Sequence, residues 1–131
     1  MVMLPPAVRV FVGLRPADLR RGFDGLAALT REVLQCDPLS GHLFVFWNRR
    51  RDRAKILFWD RSGYVLWCKR LERGRFRFPQ GGDAAGMEVE AAELMLLLEG
   101  IDLAGSGRRA RWVPACAGPQ GGRPERAGVA G

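Results

Sequence analysis

Leu43-Phe44-Val45-Phe46-Trp47, Lys55-Ile56-Leu57-Phe58-Trp59 and Tyr64-Val65-Leu66-Trp67-Cys68-Lys69 are three apolar runs of strand length that follow one another closely. Each is rich in β-branched and aromatic residues, and polar loops separate them, which reads as an antiparallel meander. Asn48 to Ala54 joins the first two runs, and Asp60-Arg61-Ser62-Gly63 joins the last two. The closing glycine of that second loop is the expected left-handed position of a bulged hairpin.

Upstream, Val8-Arg9-Val10-Phe11-Val12 alternates and predicts a short strand. Pro16 suits a first helical turn. Leu19, Phe23, Leu26, Thr30 and Val33 then recur at helical spacing, with Leu29 and Leu34 widening the stripe. Gly22 and Gly25 each cost up to ~1 kcal/mol in a helix relative to alanine, so the regular helix is expected from about Phe23. Asp37-Pro38 ends it. Downstream, Phe76 to Phe78 predicts a short edge strand, Gln80 to Gly86 a flexible linker, and Glu88 to Glu99 a helix stopped by Gly100. The fold class expected is α+β. A small antiparallel β-meander of three to five strands is covered by an N-terminal helix, with a second, C-terminal helix. Residues 1–103 form one domain. Residues 104–131 are rich in Gly, Ala, Arg and Pro, with too few bulky apolar groups to offset their ordering entropy, and read as a disordered tail.

Charge is concentrated within the meander. Residues 48–77 hold eleven basic residues against Asp52, Asp60 and Glu72, a balance of +8 within a chain whose total is +7. The run Asn48-Arg49-Arg50-Arg51-Asp52-Arg53-Ala54-Lys55 opens the stretch and Lys69-Arg70-Leu71-Glu72-Arg73-Gly74-Arg75-Phe76-Arg77 closes it. Between residues 83 and 102 stand six acids and no base. A guanidinium is always charged and its planar donor fork suits phosphate, so a dense positive surface points to a polyanion. A solvated hairpin tip with surplus charge is the plainer reading, and the Arg-over-Lys bias carries little weight in a chain so rich in Ala, Gly and Arg.

Other chemistries find little support. Asp52 and Asp60 fall at opposite ends of one predicted strand, about 25 Å apart at ~3.3 Å per residue, so they do not share a metal ion as a nuclease would require. Cys36 and His42 flank the Asp37-Pro38 turn, a weak hint of a dyad. Three widely spaced cysteines with a single histidine do not make a zinc site, and their odd number reads as a reducing, cytoplasmic setting. No cofactor is implied. No apolar run approaches the ~18 residues of a membrane span, and the first twelve residues lack a secretory apolar region. Trp47, Trp59, Trp67 and Tyr64 interleave with the arginines and offer stacking surfaces for bases. A small sheet needs such rings as filling, so at least two of these three tryptophans are expected in the core. The 88–99 helix has more leucine than one buried stripe uses, and Leu94, Leu97 and Leu98 are candidates for a partner surface.

Read together, Val8-Arg9-Val10-Phe11-Val12, Asp18-Leu19-Arg20-Arg21-Gly22-Phe23-Asp24-Gly25-Leu26, Gly41-His42-Leu43-Phe44-Val45-Phe46, Asn48 to Arg53, Leu57-Phe58-Trp59-Asp60 and Lys69 to Phe76 resemble the TnpB accessory protein, the second open-reading-frame product of bacterial insertion sequences of the sixty-six type. The match is dense over residues 3–78 and looser through Glu93-Leu94 and Leu98 to Asp102. The resemblance implies a protein that assists transposition while a separate, larger protein carries the catalytic acids. No catalytic residue carries over from it, and Pro114 to Gly131 has no expected counterpart.

The expectation is therefore a non-catalytic DNA-binding accessory factor, cytoplasmic and nucleoid-associated, whose partners are DNA, with transposon ends foremost, and the transposase of the same element. Arg49, Arg50, Arg51, Arg53 and Lys55 would grip phosphates at one end of the sheet, and Lys69, Arg70, Arg73, Arg75 and Arg77 would extend the track. The second helix would recruit the transposase or a second copy of the chain. The alternative is an adaptor whose arginines meet an acidic face of the transposase without touching DNA.

Overall fold

The computed structural model describes residues 7–100, and the expected tail at 104–131, with Cys116, lies outside them. In chain order the elements are β1 (Val10–Gly13), α1 (Phe23–Glu32), β2 (Leu43–Trp47), β3 (Arg53–Asp60), β4 (Gly63–Arg70), β5 (Gly86–Val89) and α2 (Ala91–Leu98). The strands form one mixed sheet in the order β4-β3-β2-β1-β5. The meander β2-β3-β4 is antiparallel throughout. β1 runs parallel to β2 and antiparallel to β5.

Both faces of this sheet are covered, which explains why β1 and β2 read as continuous apolar runs and are buried along their whole length. Side chains alternate between faces. Phe11, Phe44, Phe46 and Leu57 meet Leu19, Leu26, Ala27 and Leu34 from α1 and its flanks. Val10, Val12, Val45, Trp47 and Ile56 meet Leu94, Leu97 and Leu98 of α2 on the other face.

Phe76 and Phe78, expected in an edge strand, join that second core instead. Trp47 stacks on Phe78 at 6.2 Å and 15°, and Phe78 lies 5.3 Å from Phe76. Burying two rings against an indole outweighs the few ladder hydrogen bonds a three-residue strand would make. The Trp47 Nε1–H donates to the Gly13 carbonyl at 2.7 Å, so the buried indole leaves no polar atom unsatisfied. The segment between β4 and β5 thus crosses the end of the sheet, where the Gly81 amide donates to Leu14 and the Leu14 amide to Ala85.

Two further expectations are corrected. Gly86 is not the last residue of a linker but the first of β5, and Glu88 and Val89 belong to that strand rather than to a helix. The helix begins one residue past Glu90, whose side chain and that of Glu93 form a reciprocal capping box. Gly100, at φ +85°, stops it as the sequence predicts. In the β3–β4 turn the left-handed residue is Arg61 (φ +52°), not Gly63, and the Ser62 amide donates back to the Asp60 carbonyl. Asp60 and Gly63 are already ladder partners, which leaves only Arg61 and Ser62 to reverse the chain.

Candidate nucleic-acid interface

The arginine loop between β2 and β3 is built on one asparagine. The Asn48 side-chain oxygen accepts from the amides of Asp52 (3.1 Å) and Arg53 (3.0 Å), and its Nδ2–H donates to the Asp52 carboxylate at 2.7 Å. The Arg51 amide donates to the Asn48 carbonyl at 2.9 Å. Arg51 takes φ +62°, which an L-residue visits at some cost. The Asn48 hydrogen bond, aided by the charges of Arg50 and Arg53, holds the Asp52 carboxyl below its ordinary range. Asp52 therefore braces the loop from within. Asp60 stands at the opposite end of β3, and among the described residues no cluster of three His, Cys, Asp or Glu side chains could hold a metal ion.

The second basic cluster folds back onto this loop. The Leu71 amide donates to the Asp52 carbonyl at 2.8 Å and the Phe76 amide to the Arg51 carbonyl at 2.7 Å. Arg53 and Arg70 are register partners on neighbouring strands. Arg73, Arg75 and Arg77 are exposed, while the alternate positions Phe76 and Phe78 point into the core. The extended chain thus alternates, its rings buried and its arginines exposed. Of the ten predicted contact residues, Arg49, Arg50, Arg51, Arg53, Lys55, Arg70, Arg73, Arg75 and Arg77 come together at one end of the sheet.

Lys69 is at the same end but faces the other way. Its ammonium donates to the Leu98 carbonyl at 2.9 Å and lies 3.9 Å from the Glu99 carboxylate, at the C-terminus of α2. That arrangement satisfies an orphan helix carbonyl and complements the negative end of the helix dipole. Arg70 pairs with Glu72 at 3.0 Å, an exposed contact of little strength.

The loop that leaves β1 brings more positive charge to this end, since the Ala17 amide donates to the Trp47 carbonyl. Arg15 donates to the carbonyls of Gly82 and Ala84, and Arg20 pairs with Asp18 at 3.0 Å, holding that carboxyl at about 2. The Lys55 ammonium reaches the Arg21 carbonyl at 3.3 Å. The exposed Arg21 side chain lies along Gly25, where an added Cβ would approach the Arg21 Cβ to 2.9 Å. Sequence reasoning overlooked Arg21. The available signal was the glycine four residues after an arginine, which opens a helix surface for a long side chain.

The predicted partner residues Leu94, Leu97 and Leu98 are not on the surface. They are at most 3% exposed, because the sheet's second face needs a cover and α2 supplies it. The exposed apolar residues of that helix are Met95 and Leu96, each 42% exposed. Of the tryptophans, Trp47 is core and Trp67 packs against the same cluster. Trp59 meets Tyr64 edge to face at the end of the β3–β4 hairpin remote from the arginine loop. These rings are therefore separated from the arginine loop, while Arg61 in the same turn and Arg31 lie beside them.

A family model described as IS66 Orf2 like protein matches residues 8–108. The chain is 42% identical over 95 residues to a Sinorhizobium fredii protein, Uncharacterized protein y4jC, covering 72% of this chain and 80% of that one. A second protein of the same organism, Uncharacterized protein y4hO, is 41% identical over 102 residues, covering 76% and 88%. A shorter match, 34% over 63 residues, falls on 31% of an RNA pyrophosphohydrolase from Actinobacillus pleuropneumoniae. No solved structure matches the chain.

Proposed function

The chain belongs to the IS66 Orf2-like family, and from that premise we propose that it is a non-catalytic accessory protein of insertion-sequence transposition that binds the DNA backbone through its basic end. One observation carries the DNA-binding part of this reading. Two arginine-rich segments separated in sequence are fastened together by the Leu71–Asp52 and Phe76–Arg51 backbone hydrogen bonds, so that their backbones meet at one end of the sheet, which supports a shared basic surface. The two segments hold only two carboxylates, Asp52, bonded to Asn48 and close to Arg50 and Arg53, and Glu72, paired with Arg70, which leaves a large excess of positive charge on Arg49, Arg73, Arg75 and Arg77.

With Trp59 and Tyr64 at the other end of the hairpin, the arginine loop is suited to phosphates rather than to bases. Such binding supplies affinity with little sequence choice. The test is a binding titration with duplex DNA across a range of salt. Log affinity should fall by about 0.9 per phosphate neutralised against log salt, and replacing Arg49, Arg50 and Arg51 with alanine should flatten the slope by roughly two to three units. An unchanged slope excludes the loop as the contact.

The exposed Met95-Leu96 pair favours a second reading, in which the protein also, or instead, docks on the transposase. A pull-down with purified transposase, repeated after nuclease treatment, separates the two. Survival of the complex together with no DNA retention by the isolated chain favours the adaptor.

A further inference from the structure

Arg53 and Arg70 violate a rule of sheet construction. They are directly opposed on adjacent antiparallel strands, where like charges are destabilising. The next pair on the same face is Lys55 and Cys68, so three cations and one thiol form a two-by-two block. The block lines a groove of about 380 Å³ whose rim includes Glu72. Arg53, Arg70 and Cys68 are exposed, and Cys68 is a free thiol. The Lys55 ammonium donates to the Arg21 backbone carbonyl, which holds it in place on the groove floor.

Local conflicts of this kind are found where a site requires them, and a concave surface lined by cations fits an anion. We propose that this groove seats a single phosphodiester of bound DNA, held jointly by the guanidinium groups of Arg53 and Arg70, with the Lys55 ammonium beneath them committed to the Arg21 carbonyl. The inference rests on the DNA-binding reading and sharpens it. The remaining arginines of the two segments contact neighbouring phosphates, whereas this block fixes one phosphate and hence the register of the protein on the backbone. Glu72, by engaging Arg70, competes with the phosphate for that guanidinium.

Sharing has a signature that independent contacts lack. Arg53→Ala or Arg70→Ala alone should leave the salt slope nearly intact, because the remaining arginine still neutralises the phosphate. The double substitution should lower the slope by about 0.9. A fall of about 1.8, divided equally between the single variants, would mean two separate phosphates and overturns the shared seat. An unchanged slope in the double variant overturns it as well.

Cys68 gives a readout on the unaltered protein. Its alkylation by N-ethylmaleimide, followed by peptide-resolved mass spectrometry, should slow several-fold at saturating duplex DNA and not at an equal concentration of inorganic phosphate. An equal rate with and without saturating DNA excludes the groove while leaving binding by the loops intact. Failure of the unaltered protein to bind DNA at any salt concentration instead removes the broader reading. Glu72→Gln should tighten binding at low salt, and weaker binding would contradict competition at Arg70.

Discussion

The Lys69 ammonium donates to the Leu98 carbonyl across 2.9 Å, joining an edge strand to the last turn of the helix that covers one face of the sheet. The contact holds together two elements 29 residues apart in sequence and is partly buried. Replacing Lys69 with methionine keeps most of the aliphatic stem and removes the charge. It should cost about 0.5–1.5 kcal/mol, the worth of one hydrogen bond and a helix-terminus cation. Urea denaturation measures the loss. The salt dependence of DNA binding should change much less than for the loop arginines, since this ammonium already has a partner.

Gly86→Ala should destabilise by about 1–3 kcal/mol, the usual range for overpacking. A Cβ there would lie 2.8 Å from the Leu34 side chain and 2.9 Å from the Val12 carbonyl, so β5 would have to move away from β1. Thermal unfolding checks it. A variant as stable as the parent would show that this edge of the sheet yields readily.

Arg51→Gly separates charge from backbone strain. The left-handed conformation of Arg51 costs roughly 1–2 kcal/mol that glycine does not incur, while glycine costs roughly 0.5–1 kcal/mol in unfolded-chain entropy. Stability should hold or rise slightly while the salt slope of DNA binding falls. A clear loss of stability would mean that the Arg51 side chain has a packing role.

At the opposite end of the sheet, His42 Nδ1 accepts the Arg9 backbone N–H at 3.0 Å, and Arg9 pairs with Glu88 at 2.6 Å. Burial, then the Arg9 charge, lowers the imidazole's pKa, with Glu88 and Asp37 opposing. The unfolded chain, titrating near 6.5, therefore takes up the proton before the folded one. The stability His42 contributes is complete above that value and is lost as pH falls through the folded value. Urea midpoints should drop between pH 7.5 and 5.5, and His42→Asn should flatten that drop. Parallel curves for parent and variant would remove His42 as the cause.

The meander was legible because each of its strands carries its own signal, and α1 because its apolar stripe is regular. β5 was not. Met87 and Val89 are too few to announce a strand beside Gly81, Gly82 and Gly86, and it becomes one only because β1 offers an unpaired edge. The same long-range fact misplaced Leu94, Leu97 and Leu98. A meander imagined with one covered face has no use for so many leucines, whereas a sheet buried on both faces does. That the two arginine-rich segments lie near each other followed from the hairpin reading, but the approach of Lys55 to the Arg21 carbonyl did not, since a backbone carbonyl reached by a distant lysine leaves no mark in the sequence.

The position of β1 has a consequence for how the chain assembles. Its earliest strand lies between β2 and β5, so one flank is completed only when residues 86–89 arrive, more than seventy positions later. Until then its outer rim is bare and open to pairing with any passing strand, a known route to aggregation. A nascent polypeptide arrested before Gly86 would retain every arginine described above and still be a species for proteases and chaperones, so a fragment ending there is a poor stand-in for the whole molecule.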